Sequence, residues 1–536
     1  MATRIGIDFG TANTVVAQWN AERDRGEPID LAGIDVLRPS AAGVTQRVVP
    51  SVVAYDRQSG TRTIGGQVSP DMFTDPGQAV FRSTKSVITG RIKDIARQVG
   101  AGSISPRHAA TQFLSDILAA TMLAVDSRDL EIVATAPVEA FDTYRDWMVR
   151  EVSEQAGLAR LRVVDEATAA AVGYSARLNP GDTFMVFDFG AGTLDISVVR
   201  VQDAQASQGG GAGVRVVGKA GIDFGGDNID ALLAEHVASR LRLPYGDSHL
   251  HNQIFGQLLR SAEAAKMALT SGPLATIRAV HPDGTEYSAE MSRGDFDALL
   301  RNKDVTGRVG RALRAALDKA AGAGFVADQI RDVFLVGGTS LIPAIQDVVY
   351  MQFPRDIVRI DRPLEAVAAG AAGIAGGYEL HDHIQHDYVI RHVNRDTGEY
   401  EFESLVPAGT EYPTLTPIKT MTIKGVRDGQ RNLGLAIYER AHATFRDASA
   451  DLEIMFDANG GARAVAVTSQ QRQQRSTLWL NEDSPTFLEA DPPATAGSDR
   501  FRLDFRVDAQ KRLTVSAFDL ERRTWVLDQQ PVVRLS

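Results

Sequence analysis

Two copies of one short pattern constrain the fold of this chain more than any other feature. The first copy, IGIDFGTANTVVA, covers residues 5–17, and the second, VFDFGAGTLDISVV, covers 186–199. Each copy has an apolar strand that ends in Asp, a Gly-containing turn and a second apolar strand, which predicts a β-hairpin. Asp8 and Asp188 stand 180 positions apart, so the repeat favours a duplicated fold whose halves hold one phosphate chain from both sides. Two unrelated hairpins with capping Asp residues are the alternative.

The residue types of these hairpins suit phosphate and magnesium. Gly10 permits a tight turn, and successive turn N–H groups with the hydroxyls of Thr11, Thr14 and Thr193 can donate to phosphate oxygens. Carboxylates at strand ends can hold Mg²⁺, which prefers oxygen ligands and keeps several waters. The predicted metal-side carboxylates are Asp8, Asp188 and Asp195.

Composition limits the class of protein. A chain of 536 residues predicts two to four domains. The net charge of −11 argues against nucleic-acid binding through general basicity. The absence of Cys excludes disulfides, Cys-ligated zinc and thiol catalysis. We expect no signal peptide and no membrane span, because neither a leader pattern nor a long apolar run is present, and therefore expect a cytoplasmic protein.

The order of patterns predicts two kinds of domain. Strands alternate with helices over 1–378, which predicts an α/β domain. Residues 379–386 form a polar linker, and 387–536 alternate as short strands, which predicts an all-β sandwich-like domain. His381, His383 and His386 in the linker are interpreted as solvated side chains rather than as a metal site.

Two further segments bear on catalysis. Glu166 opens a helix directly after a strand, so it is either a helix-capping acid or a group that orients water. A Lys must also reach the terminal phosphate, but spacing alone does not select it. Residues 213–220 nearly spell a P-loop; Ala220 replaces the hydroxyl residue, and we interpret the segment as a strand.

Together these segments resemble the seventy-kilodalton heat-shock chaperones of the DnaK type, within the actin/hexokinase ATPase superfamily. The resemblance covers about 3–377 well and 387–536 weakly. Besides the two hairpins it includes 85–91, 165–171, 263–270 and 336–343. It implies a two-lobed, actin-like ATPase domain of duplicated ribonuclease H-like units with ATP between the lobes, and it selects Lys85 as the catalytic lysine.

The resemblance implies ATP or ADP with Mg²⁺, and K⁺ as a further candidate cation. The implied catalytic residues are Asp8, Lys85, Glu166 and Asp188. The implied nucleotide-binding residues are Gly10, Thr11, Asn13, Gly190, Gly192, Thr193, Gly225, Gly226, Glu263, Lys266, Thr270, Gly337, Gly338, Ser340 and Asp361. Pro137 and Arg145 match positions that relay the nucleotide state to the binding domain.

Several positions depart from the family pattern. Ala12 replaces a Thr that contacts phosphate, Ala191 replaces a Gly of the second turn, and Leu341 replaces an Arg that stacks on adenine. Leu341 and Met267 can still enclose adenine by apolar contact. We therefore expect weaker ATP binding with hydrolysis retained. The apolar linker of the family is replaced by a polar one, and we expect no helical lid.

The sequence therefore predicts a slow ATPase that acts as a chaperone for unfolded or extended polypeptide. A co-chaperone and a nucleotide-exchange factor are the further partners that the resemblance implies, and we expect no nucleic acid or membrane partner. A small-molecule kinase and an actin-like filament former of the same superfamily are the alternatives.

Overall fold

The computed structural model divides the chain into two compact units. The first comprises Met1–Val138, Asp146–His381 and Thr444–Ser469, and the second comprises Glu139–Arg145, Asp382–Ala443 and Gln470–Ser536. The residues that the structure describes are 2–39, 45–90, 94–137, 142–158, 160–174, 179–201, 214–241, 249–281, 283–378, 384, 386–393, 399–408, 410, 412–440, 452–456, 462–466, 477–481, 486–508 and 512–535.

The first lobe of the first unit is built on a mixed sheet that contains the first predicted hairpin. The strands of this part of the chain are β1 (Thr3–Phe9), β2 (Asn13–Asn20), β3 (Arg25–Pro28), β4 (Val36–Pro39), β5 (Thr45–Pro50), β6 (Val52–Asp56), β7 (Arg62–Ile64), β8 (Gln78–Arg82), β9 (Arg97–Val99), β10 (Gly102–Ile104), β11 (Leu130–Ala136) and β12 (Leu161–Asp165). The helices of this part of the chain are α1 (Thr84–Ile88), α2 (Pro106–Ala124), α3 (Asp142–Asp146), α4 (Ser153–Ala156) and α5 (Glu166–Tyr174). The main sheet has the order β12-β11-β1-β2-β5-β4, and β3 also pairs with β2.

The second lobe repeats the central arrangement of the first. Its strands are β13 (Thr183–Phe189), β14 (Leu194–Val201), β15 (Val214–Ile222), β16 (Leu274–Val280), β17 (Glu286–Ser292), β18 (Ile330–Val336) and β19 (Val358–Arg359). The helices are α6 (Gly226–Arg240), α7 (His249–Ser271), α8 (Arg293–Asn302), α9 (Val305–Gly322) and α10 (Pro343–Tyr350). The last helix of this part of the chain, α11 (Ala366–Gly376), packs on β1 and β2 of the first lobe. Earlier in the chain, a π-helical segment, Trp147–Val152, joins α3 to α4, and 3₁₀ turns occupy Gly65–Gln67 and Pro70–Phe73. After β17, 3₁₀ turns occupy Ala327–Gln329, Gly338–Leu341 and Arg355–Ile357.

The strand pairings confirm the predicted duplication. β1 is antiparallel to β2 and parallel to β11, which is parallel to β12. Likewise, β13 is antiparallel to β14 and parallel to β18, which is parallel to β19. β15 completes the second sheet, so the P-loop-like segment is a strand, as predicted.

The Ala- and Gly-rich helix α11 packs closely against α5. A Cβ atom on Gly370 would overlap the carbonyl oxygen of Ala169, and one on Gly173 would overlap that of Ala366. Two backbones can approach this closely only where a side chain is missing. α11 also lies against β1, where a Cβ on Gly6 would overlap the backbone of the helix. The helix therefore serves core packing, which positions β1 and α5 on either side of it.

The second unit is a β-sandwich. Its strands follow in order as β20 (Asp387–Val393), β21 (Tyr400–Val406), β22 (Lys419–Lys424), β23 (Gln430–Arg440), β26 (Thr477–Trp479), β27 (Thr486–Ala494), β28 (Asp499–Val507), β29 (Arg512–Asp519) and β30 (Thr524–Arg534), while β24 (Leu452–Phe456) and β25 (Ala462–Ala466) form a separate hairpin. One sheet has the order β21-β20-β23-β26 with β27 on β23, and the other has the order β22-β28-β29-β30. Apolar side chains from both sheets form one core, which includes Ile390, Leu435, Phe505 and Val515.

The hairpin β24–β25 groups with the first unit, although its sequence lies between two strands of the sandwich. Ala462 is buried in the apolar cluster that contains Ile229 of α6 and Leu258 of α7.

His386 corrects the prediction of a solvated histidine trio. Its side chain is 1% exposed, and its Nδ1 shares a 2.5 Å hydrogen bond with Oε1 of Glu439, which also accepts from the Tyr388 hydroxyl at 3.0 Å. A buried carboxylate needs such partners, so this histidine is a structural residue of the sandwich. His381 and His383 lie outside the described residues. Among the described helices, none is long and apolar enough to cross a membrane.

Candidate nucleotide-binding site

The two predicted hairpin turns line the same small cavity of about 100 Å³. The first turn contributes Asp8, Gly10, Thr11, Ala12 and Asn13, and the second contributes Asp188, Gly190, Ala191, Gly192 and Thr193. Lys85, Thr89, Pro137, Glu166, Gly337, Gly338 and Leu364 are among the other lining residues. Asp8 and Asp188 therefore face one space, which is the arrangement that the repeat predicts.

The two turns are closed in the same way. The N–H of Gly10 donates to the carbonyl of Asn13 at 3.0 Å, and the N–H of Gly190 donates to that of Thr193 at 3.0 Å. A Cβ atom on Gly10 would overlap the Asn13 carbonyl oxygen, so the first turn requires glycine at this position. A hydrogen bond from another segment stabilises the second turn, since the Thr339 hydroxyl donates to the Gly190 carbonyl at 2.8 Å.

Lys85 and Glu166 form an ion pair inside this cavity. The Lys85 Nζ donates to Oε1 of Glu166 at 2.6 Å, and the two side chains are only 9% and 12% exposed. Glu166 stands at the first turn of α5, but its side chain pairs with the lysine of α1. Of the two interpretations that the sequence left open for Glu166, this geometry favours a role in the cavity.

The surroundings of the acidic groups in this cavity disfavour their charged forms and so raise their pKa values. Burial raises the pKa of Glu166 from its ordinary 4.5 to about 7, although Lys85 acts against this shift. Burial also raises the pKa of Asp188 well above its ordinary value, with further contributions from Glu166, Asp195 and Asp8. The pKa of Asp8 is raised by burial as well, while Lys85 and the hydroxyl of Thr135, which donates to Asp8 Oδ1 at 2.9 Å, lower it. Several buried carboxylates share one lysine, so a cation in this cavity would relieve their mutual repulsion.

These residues fit magnesium and a phosphate chain. Within the described residues, no group of three or more His, Asp or Glu side chains converges closely enough to hold a metal without other ligands. Mg²⁺ commonly binds through one or two carboxylates, water and substrate phosphates, and Asp8 and Asp188 supply such carboxylates. Asp195 pairs with Asp188 across β13 and β14 and is buried, but it is not among the residues lining either cavity described here.

A larger cavity of about 740 Å³ adjoins the small one and shares Thr11, Ala12, Asn13, Ala191, Gly338 and Leu364 with it. Helix α7 contributes Glu263, Lys266, Met267 and Thr270, whose spacing places them on one helical face. Leu341 and Ile342 also line this cavity. Its volume lies within the range of cofactor sites.

Two groups of α6, the Asp230 carboxylate and the Gly226 carbonyl, hold the Lys266 side chain of α7 in place. The Lys266 Nζ donates to Oδ2 of Asp230 at 2.8 Å and to the carbonyl of Gly226 at 3.1 Å. Burial raises the pKa of Asp230 to about 7. Burial acts to raise the pKa of Glu263 too, but Arg82, Lys266 and Arg38 together hold it below its ordinary value.

Contacts between the two lobes join residues that line the large cavity. Nη2 of Arg82, at the end of β8, lies 3.1 Å from Oε2 of Glu263 on α7. The hydroxyl of the next residue, Ser83, donates to Oδ2 of Asp227 on α6 at 2.9 Å. Both residues immediately precede α1, which carries Lys85, so the lysine is tied to the second lobe.

Some predicted nucleotide-binding residues support the site without lining either cavity. Gly225 caps α6, and the Ser340 hydroxyl donates to the Gly337 carbonyl at 2.6 Å. Asp361 accepts from the Gln46 side chain through its backbone carbonyl at 3.2 Å. Gly226 is the carbonyl partner of Lys266. Pro137 lines the small cavity, whereas Arg145 is not among the residues that line either cavity.

The sequence analysis missed several residues that line the large cavity: Arg38, Phe73, Arg82, Ser83, Asp227 and Arg260. Their partners lie far away in the sequence; 144 positions separate Ser83 from Asp227. Arg82 and Ser83 precede the segment that contains Lys85, and this proximity is the one local signal that could have indicated them.

Comparison with known proteins decides the family. The model of the family described as Hsp70 protein matches residues 4–450. The chain belongs to the Hsp70 family. A curated relative, the "Chaperone protein HscA homolog" of Delftia acidovorans, is 28% identical over 539 aligned residues, which cover 96% of this chain and 75% of the relative.

Membership of the Hsp70 family confirms the recognition made from the hairpins and the fold class of a two-lobed ATPase followed by a β-sandwich. Hsp70 proteins are ATPases that bind ATP or ADP with Mg²⁺, so the predicted enzyme class is confirmed as well.

Proposed function

We propose that this Hsp70-family protein is an ATP-dependent chaperone that hydrolyses ATP in the small cavity. The observation that carries the proposal is the pair of equivalent turns facing the Lys85–Glu166 ion pair. The nucleotide state then changes how tightly the β-sandwich holds an unfolded segment. Such coupling requires that the two nucleotide states bind the segment with different affinities.

The residues of the small cavity divide the work of phosphoryl transfer. Turn N–H groups and the hydroxyls of Thr11 and Thr193 bind and orient the phosphates. Lys85 places a positive charge where negative charge develops, and Glu166 orients the attacking water. When bound at Asp8 and Asp188, Mg²⁺ neutralises part of the phosphate charge.

The large cavity is proposed to hold adenosine. Glu263, Lys266 and Thr270 present polar groups from α7, and Met267 and Leu341 offer apolar contact to the base. Ala12 and Ala191 line both cavities and bring no polar side chain to the phosphates. We therefore expect lower ATP affinity than the family pattern would give, with hydrolysis retained.

The remaining parts of the proposal concern ions, partners and place of action. The excess of buried carboxylates over lysine in the small cavity supports a potassium ion beside magnesium. The Hsp70 family supports unfolded polypeptide as the ligand, with a co-chaperone and a nucleotide-exchange factor as further partners, and a cytoplasmic site of action. No observation on the described residues favours a small-molecule kinase or a filament former.

The decisive experiment measures ATP turnover by wild type and by Lys85→Ala, each with and without an unfolded protein. We expect Lys85→Ala to lower turnover by about 100-fold or more, because one preorganised charge that acts on the transition state is removed. Unfolded protein should stimulate the wild type. Lys303→Ala, which removes an exposed lysine at the end of α8, is the matched control and should turn over normally.

Binding measurements complete the test. A fluorescent peptide should bind the wild type with different affinities in ATP and in ADP. Equal affinities would leave an ATPase joined to an uncoupled sandwich. If calorimetry with Mg²⁺ present detected no ATP binding, the proposed site itself would be wrong.

A further inference from the structure

Arg38 projects toward the large cavity from the lobe opposite α7. It lies on β4, where it pairs in register with Gln46 of β5. Its Nη1 reaches Sδ of Met267 on α7 at 4.0 Å, although 229 positions separate the two residues. It also helps to lower the pKa of Glu263, so its guanidinium stands near the face of α7 that lines the cavity.

The guanidinium is incompletely satisfied. The Nε of Arg38 is buried, and the described residues provide no hydrogen-bond partner for it. A buried donor without a partner is costly, because it has given up its hydrogen bonds to water and gained none in return. Such a group at the wall of a cavity is suited to meet a ligand that enters the cavity.

The position of Arg38 selects which part of a nucleotide it meets. Arg38 lines the large cavity and is not among the residues that line the small one, where the two turns lie. Its neighbours on the second lobe, Met267 and Glu263, belong to the proposed adenosine face. The planar guanidinium stacks on aromatic rings and is attracted by their π-electrons.

We propose that Arg38 is a base-positioning residue that stacks on the purine from the first lobe. This inference rests on the proposed function, since it assumes a nucleotide in the large cavity. Met267 and Leu341 can enclose a base by apolar contact alone, and Arg38 adds a directional contact from the opposite lobe. Nucleotide binding then joins β4 to α7.

The test compares wild type with Arg38→Ala, Arg38→Met and Arg38→Lys by calorimetry with MgADP and with adenosine, which has no phosphate. Removing the guanidinium should weaken ADP binding about 3- to 30-fold, with a similar fold-loss for adenosine. Arg38→Met keeps the length of the side chain and should lose as much as Arg38→Ala, whereas Arg38→Lys should lose less. Leu37→Ala, at an exposed neighbour on the same strand, is the matched control and should bind as wild type does.

Kinetics separate positioning from catalysis. In the Arg38 variants KM for ATP should rise while kcat at saturating ATP stays within about twofold of wild type. The inference is overturned if ADP affinity is unchanged, if adenosine affinity is unchanged while ADP affinity falls, or if kcat falls together with affinity. Failure of the proposed function would look different, because the wild type itself would then bind no MgADP.

Discussion

Glu166 is one of the buried acids of the small cavity whose pKa is raised by the fold. Burial raises its pKa to about 7, so the folded chain binds this proton more tightly than the unfolded chain does. The stability that this group contributes is therefore fully present below about pH 4.5 and is lost as the pH rises through about 7. A cation beside the carboxylates would act in the opposite direction.

Glu166→Gln should make the thermal stability of the ligand-free protein less sensitive to pH. Glutamine resembles the protonated acid, so at pH 8 in the presence of a chelator the variant should melt roughly 2 °C or more above wild type. The difference should shrink toward pH 4.5. Differential scanning calorimetry across this range is the measurement, and Glu154→Gln, at an exposed position of α4, is the control. A melting difference that does not vary with pH would contradict the prediction.

The contact between α5 and α11 shows how elements hold the site. α5 begins with Glu166, and α11 packs across it through Gly173 and Gly370. α11 also packs on β1, which carries Asp8 at its end. A shift of α11 would thus move two proposed catalytic groups, Asp8 and Glu166, on two elements at once.

Gly370→Ala should destabilise the first unit by about 2–3 kcal/mol, because the added Cβ overlaps the backbone of α5 and cannot be accommodated by a side-chain movement. Gly322→Ala, at the end of α9, provides a matched control: its Cβ would meet no atom within 4 Å. This control should be neutral or stabilise by about 0.5–1 kcal/mol through helix propensity. Thermal melting with and without MgADP measures both variants, and equal effects of the two substitutions would refute the packing argument.

The parts of the fold and of the site that could be predicted from the sequence are those that depend on residues close together in the chain. The hairpins around Asp8 and Asp188 and the strand in place of a P-loop all follow local patterns, and all are present. Arg38 lies outside any recognisable pattern, because its cavity forms only when the two lobes meet. His386 was misjudged for the same reason: its partner Glu439 is distant in sequence and offsets the cost of burying it.

At the scale of the whole molecule, the path of the chain offers a second connection beside the polar linker. The chain leaves the sandwich after β23, forms the hairpin β24–β25 within the first unit, and returns to the sandwich at β26. Ala462 of this hairpin is buried with residues of α6 and α7, the helices that carry Asp230 and Lys266. The hairpin therefore joins these helices, along the chain, to the strands on either side of it, and we expect it to contribute to the proposed coupling.

Replacing residues 452–466 by a Gly/Ser segment of equal length should reduce the ratio of peptide affinities measured in ADP and in ATP. Allosteric couplings are commonly about 5- to 150-fold, and the replacement should bring this ratio toward one, since a flexible segment does not transmit a displacement. Fluorescence anisotropy of a labelled peptide gives the ratio, and MgADP affinity establishes that the first unit is folded. A Gly/Ser replacement of 281–285, the turn between β16 and β17 in the same unit, is the control and should leave the ratio unchanged. If both replacements leave it at the wild-type value, the coupling does not pass through the hairpin.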